Sequence, residues 1–99
     1  MELNTKSSEF KIIEDSKDEP TLESAQKFVG GYVEGITFPN GDYLIINEEG
    51  KLKGLPVNED ATNLWRSTFT EDKYAFGFDD FVVGPAILIK ANALKRWAA

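Results

Sequence analysis

"YVEGITFPNGDYLIIN", residues 32–47, decides the fold. Two runs rich in β-branched and aromatic residues flank Asn40-Gly41, a pair suited to a tight reversal because both central positions of a type I′ turn need positive φ. On this reading the segment is a β-hairpin with a two-residue loop. Phe38 then faces Tyr43 and Ile36 faces Ile45, while Thr37 faces Leu44 and Gly35 faces Ile46. One face of such a hairpin is aromatic and the other slim, which leaves room for a helix to approach over Gly35.

Toward the C-terminus the hairpin runs into "NEEGKLKGLPVNEDAT", residues 47–62. "NEEGK" reads as a type I turn closed by Gly50 in the left-handed region, and "KLKGL" as a short third strand stopped by Pro56. In this block Glu48, Glu49, Lys51 and Lys53 are expected to face solvent, with Leu52 and Leu55 anchoring the turn to the core. Asn58 then caps a helix with Glu59 and Asp60 in its positive first turn and Ala61, Leu64, Trp65 and Thr68 on one face. Toward the N-terminus, "EFKIIED" (9–15) is a first strand and "SKDEP" a loop. Thr21 caps a helix over 21–29 whose Leu22, Ala25, Phe28 and Val29 share a face, and Gly30-Gly31 ends it. Past the second helix, "TFTEDKYAFGFDDF" (68–81) is an aromatic loop or irregular strand, and "FVVGPAILIK" a β-branched run whose Gly84-Pro85 suggests a bulge or an edge. "ANALKRWAA" reads as a short helix. The fold class is therefore α+β: a small antiparallel sheet of about four to five strands with two packed helices. Residues 1–9 are expected to be a flexible N-terminus and residues 10–99 a single domain.

Whole-chain composition narrows the chemistry. Ninety-nine residues, 41% of them apolar, suit one domain with a modest core. Cys and His are both absent, which removes disulfides, thiol chemistry, the common zinc and copper ligands and the usual general base near neutral pH. No metal and no cofactor is expected. The longest apolar run, "AILI", is far below what a membrane span needs, and the N-terminus lacks the order of a signal peptide, so a soluble cytoplasmic protein is expected. A net charge of −6 repels nucleic-acid phosphates and anionic membranes and disfavours direct nucleic-acid binding.

"VGGYVEGI" (29–36), "LIINEEGKLKGLPVNEDAT" (44–62) and "VVGPAILI" (82–89), in this order and spacing, resemble the small proteins grouped as domain of unknown function 3846. The likeness runs over residues 10–90, and "NEEGKLKGLPVN" is its most specific block. The resemblance implies a protein encoded by a phage, a plasmid or a bacterial genome. It carries no established activity and no catalytic residues.

Five acidic pairs stand at loops or helix starts: Asp18-Glu19, Glu48-Glu49, Glu59-Asp60, Glu71-Asp72 and Asp79-Asp80. They read either as solvated turns and helix-start charges or as a surface that docks on a basic protein or imitates nucleic-acid phosphates. Glu48, Glu49, Lys51, Lys53, Asp79 and Asp80 are the residues singled out as an interaction surface. Gly50-Lys51 superficially matches a phosphate loop, but Ile45 stands where the first glycine belongs and Leu52 where a hydroxyl is needed at the metal. The aromatic set Phe69, Tyr74, Phe76, Phe78 and Phe81 reads as core or as a pocket. The function expected is that of a non-enzymatic, acidic, protein-binding accessory module, with a host protein or a second copy of the chain as partner. A small-molecule binder using residues 69–81, an acidic phosphate or DNA mimic, and an uncharacterised enzyme stay open beside it.

Overall fold

The structure, a computed structural model, describes residues 9–68 and 81–97. In chain order the elements are β1 (Phe10–Ile13), α1 (Leu22–Val29), β2 (Val33–Thr37), β3 (Tyr43–Asn47), α2 (Glu59–Thr68) and β4 (Ala86–Ile89). Single 3₁₀ turns stand at Ser16–Asp18 and Ala91–Ala93, so the tail contains one such turn where a short helix was expected. The small α+β fold with two helices and a four-stranded sheet is the expected one; the sheet order is β1-β4-β3-β2. Its ladders are mixed rather than all antiparallel. β2–β3 and β3–β4 run antiparallel, but β1 lies parallel to β4. A parallel pair needs a long crossover, which the excursion through both helices and the hairpin supplies. Residues 1–8, 69–80 and 98–99 lie outside the described residues, and with them most of the flexible-terminus and aromatic-loop expectations.

All four residues of β4 are buried, because the strand is flanked by β1 and β3 and covered on both faces. That double burial explains an uninterrupted "AILI", and it corrects the edge or bulge reading of Gly84-Pro85. Pro85 sits just ahead of the strand, where its missing N–H removes no ladder bond.

The hairpin is present but shifted by one residue. Gly35 pairs with Ile45, Ile36 with Leu44 and Thr37 with Tyr43. The loop has three residues: the Gly41 amide donates to Phe38 O at 2.9 Å and the Phe38 amide to Asp42 O at 2.8 Å. Gly41 alone carries a positive φ, 95°, and Asn40 does not. This is a type I turn with a following left-handed bulge residue, and Pro39 selects it by fixing the φ that the second turn position requires. With the shift, the ring of Tyr43, not a helix, lies over Gly35, where a Cβ would overlap its hydroxyl end.

The 48–54 segment departs furthest from expectation. "KLKGL" forms no strand. It winds through consecutive turns in which Lys53 N donates to Glu49 O (3.0 Å), Gly54 N to Lys51 O (3.1 Å) and Leu55 N to Gly50 O (3.1 Å). The last two bonds, with Gly54 at φ 67°, are the left-handed closure that ends helices; Gly54, not Gly50, is the residue in the left-handed region.

Both helices start as the sequence indicates. Thr21 and Ser24 exchange side-chain to backbone bonds of 3.1 and 3.0 Å in a reciprocal cap, and Asn58 Oδ1 accepts from Ala61 N at 3.1 Å. Strand alternation sorts the interior into two layers. Ile13, Ala25, Val29, Ile45, Ile87 and Ile89 fill the α1 side, and Phe38, Leu44, Ala61, Trp65, Ala86 and Leu88 the α2 side. Each of the large aliphatic side chains contributes about 1.5–3 kcal/mol by leaving water.

Candidate functional site

Asn47 and the helical turn after it shape the candidate site. The buried Asn47 donates through Nδ2 to Val29 O at 3.0 Å and accepts at Oδ1 from Glu49 N at 2.8 Å, which ties the base of the turn to the end of α1. Lys53 reaches the same end, with Nζ at 3.5 Å from Gly30 O, where the helix dipole favours a cation. Leu55 packs back onto Gly84, whose added Cβ would stand 2.7 Å from Leu55 Cδ1. Leu52, one turn earlier, is 89% exposed. The expected anchoring role therefore holds for Leu55 and fails for Leu52, because Leu52 stands within the turn whereas the left-handed Gly54 redirects the chain before Leu55.

Beside Leu52 opens a cleft of about 320 Å³. Its apolar lining includes Ile36, Ile46, Leu52 and Phe81, and the carboxylates of Glu34 and Glu48 also line it. Lys51 stands over the Phe81 ring, 5.3 Å from its centroid, in a cation–π arrangement. Of the residues singled out from sequence, Glu48 and Lys51 border this cleft. Glu49 is exposed on the same turn, Lys53 turns away to α1, and Asp79 and Asp80 lie outside the described residues. Glu34 and Ile36 were not anticipated as site residues. The period-two alternation of β2 could have found them once the hairpin register was right.

Two buried carboxylates elsewhere are fasteners. Asp42 Oδ2 pairs with Lys90 Nζ at 2.9 Å, and its Oδ1 accepts from Ala91 N at 2.8 Å. Glu19 Oε2 accepts from three consecutive amides, Lys95 (2.9 Å), Arg96 (2.8 Å) and Trp97 (3.2 Å). Burial by itself raises both pKa values. The amide bonds and the Arg96 charge at Glu19, and Lys90 with the Ala91 amide at Asp42, outweigh it and hold both groups below the usual carboxylate range. Asp42 has structural partners on both oxygens and Glu19 holds three backbone amides on one, so both serve to fasten the chain. Among the described residues, no group of three or more acidic side chains could hold a metal ion, and no helix is long and apolar enough to cross a membrane.

Fold and site together define a small domain of two helices about a four-stranded sheet, with an apolar cleft beside a charged turn. The chain belongs to the family described as a domain of unknown function (DUF3846), whose model matches residues 3–96. No curated protein and no solved structure matches it.

Proposed function

We propose that the protein is a non-enzymatic protein-binding module, a small acidic accessory protein of phage-like origin that acts on a host protein in a bacterial cytoplasm. Leu52 carries this reading. A single exposed leucine is ordinary on a protein surface. This one stands on a turn closed by its own hydrogen bonds, beside an apolar cleft and between exposed charges, which is the layout of an anchor with a polar rim. The resemblance to proteins encoded by phages, plasmids and bacteria supports the bacterial setting.

A photo-crosslinking amino acid at position 52 tests the reading. It should capture one bacterial protein, identifiable by mass spectrometry, and Glu48→Lys with Glu49→Lys should weaken that capture. Crosslinks no more selective than those from a probe at the exposed Glu23 would overturn it.

A small-molecule binder is the second reading, since the cleft volume falls at the lower end of the range for ligand pockets. Native mass spectrometry of the purified protein would reveal a retained metabolite. Phosphate mimicry has less in its favour in this turn, where Lys51 and Lys53 offset Glu48 and Glu49.

A further inference from the structure

We infer that the outer edge of β2 receives an extended segment of a partner protein as a fifth strand, and that this segment carries a basic residue and an aliphatic residue two positions apart. The inference rests on the protein-binding reading above and deepens it. β2 ends the sheet, with β3 on one side and no strand on the other among the described residues. The ladder to β3 fixes which backbone groups face outward. The Phe38 amide donates to Asp42 O, and the Glu48 amide donates to Tyr32 O. In an antiparallel pair these bonded positions alternate with unbonded ones, so Glu34 and Ile36 direct their backbone groups to β3. Val33, Gly35 and Thr37 direct theirs outward, and among the described residues these outward groups meet no partner. Such a row is a template for another strand.

The side chains specify the occupant. Glu34 and Ile36 lie on one face of β2, and both line the cleft that also holds Leu52 and Glu48. A strand added to β2 brings alternate side chains up beside these two. Glu34, with Glu48 close by in the cleft, calls for lysine or arginine; Ile36, with Ile46 and Leu52, calls for valine, isoleucine or leucine. Because strand side chains alternate, the two complementary residues must be separated by one, and a spacing without that gap sends one of them to the wrong face. A second copy of this chain fits less well, since two surfaces of net charge −6 would approach edge to edge.

A synthetic peptide in which threonine alternates with lysine and valine in turn tests this, against a peptide of the same composition with lysine and valine adjacent. Hydrogen exchange followed by NMR should show the outward amides of Val33, Gly35 and Thr37 becoming protected by the first peptide, with the second binding about tenfold more weakly or worse. Glu34→Lys should abolish the preference for lysine over glutamate at the basic position. Thr37→Pro, which removes one outward donor where an edge strand tolerates proline, should weaken binding while the melting temperature shows that the fold persists. If that variant unfolds, the exchange pattern of the unmutated protein still decides. Absence of binding, binding without protection of the three amides, or protection that appears without peptide and tracks dimer formation in sedimentation would each overturn the inference. If the probe at position 52 captures its protein while the edge amides stay unprotected in that complex, the protein-binding reading survives and strand addition alone falls.

Discussion

On its α1 face the sheet is braced by a segment far along the chain and opens beside it into a cleft of about 500 Å³ lined by Ile13, Phe28 and Ile87, whereas on its α2 face it ends in the cleft beside Leu52. Leu94 and Trp97 pack against the first layer, and Trp97 donates from Nε1 to Pro20 O at 2.8 Å beside the Tyr43 ring. Glu19 and Asp42 hold that segment by their amide bonds. The α2 face is equally dry beneath the helix, where Leu44 and Leu88 are almost fully buried, but Ile36 and Ile46 beyond it are only partly covered. The difference teaches that buried carboxylates tie a distant segment to one side, whereas on the other the buried Asn58 and Thr62 fix only the start of α2 and leave Ile36 and Ile46 partly exposed.

The largest expected effects test whether both faces are packed cores. Ile45→Ala on the α1 side and Leu44→Ala on the α2 side should each cost about 2–5 kcal/mol in urea denaturation, since both side chains have zero exposure. A cost below about 1 kcal/mol for Leu44→Ala would mean that the α2 face is not a packed layer at all.

The bracing of the α1 face by Glu19 and Asp42 should also be acid-labile. Glu19 and Asp42 have folded pKa values below those of the unfolded chain, so their contribution is complete above the unfolded pKa, near 4, and is lost as pH falls through the folded values. The urea midpoint should therefore drop on acidification, and Glu19→Gln should lower stability at neutral pH while flattening that dependence. Parallel pH curves for variant and parent would remove Glu19 from the account.

Gly41→Val probes the contact between hairpin and tail. It forces a β-branched residue to φ 95° and sets its Cβ 3.2 Å from that of Ala91, so a loss of about 1–3 kcal/mol is expected by chemical denaturation. Within the turn at the cleft, Leu55→Ala should cost about 1–2 kcal/mol and Leu52→Ala less than about 0.5 kcal/mol. Equal costs would mean that Leu52 is not exposed and that the cleft is misdrawn. The smallest effect concerns metals: thermal scans with and without EDTA should coincide, and a reproducible shift of several degrees would reveal a site that the composition argues against.

Local signals in the sequence were legible. Thr21, Gly30 and Asn58 mark helix ends because capping is a short-range interaction with few competing solutions. Register was not read correctly, because Asn-Gly invites a two-residue loop and the decisive residue was Pro39. The same imbalance misplaced Leu52: "KLKGL" has strand-like alternation, yet Gly54 followed by Leu55 is equally the signature of a closing helical turn, and the latter prevailed. The parallel pairing of β1 with β4 had no local signal, since it depends on how the intervening chain folds over the sheet. The cleft was hidden for a related reason. Its walls come from β2, β3, the helical turn and Phe81, and only their assembly brings Glu34 near Glu48.

The partnership of β1 with β4 has a consequence for synthesis. β1 is made before both helices and the hairpin, and its sole neighbour in the sheet among the described residues is made after them. Until β4 leaves the exit tunnel, the hairpin also lacks the strand that β3 pairs with on its inner side, so neither half of the sheet can close before then. Closure of the sheet is thereby deferred until β4 has been made, with a large loop to close at that moment. A nascent chain stalled before residue 86 should be as protease-sensitive as an unfolded polypeptide, and emergence of β4 should confer resistance in a single step.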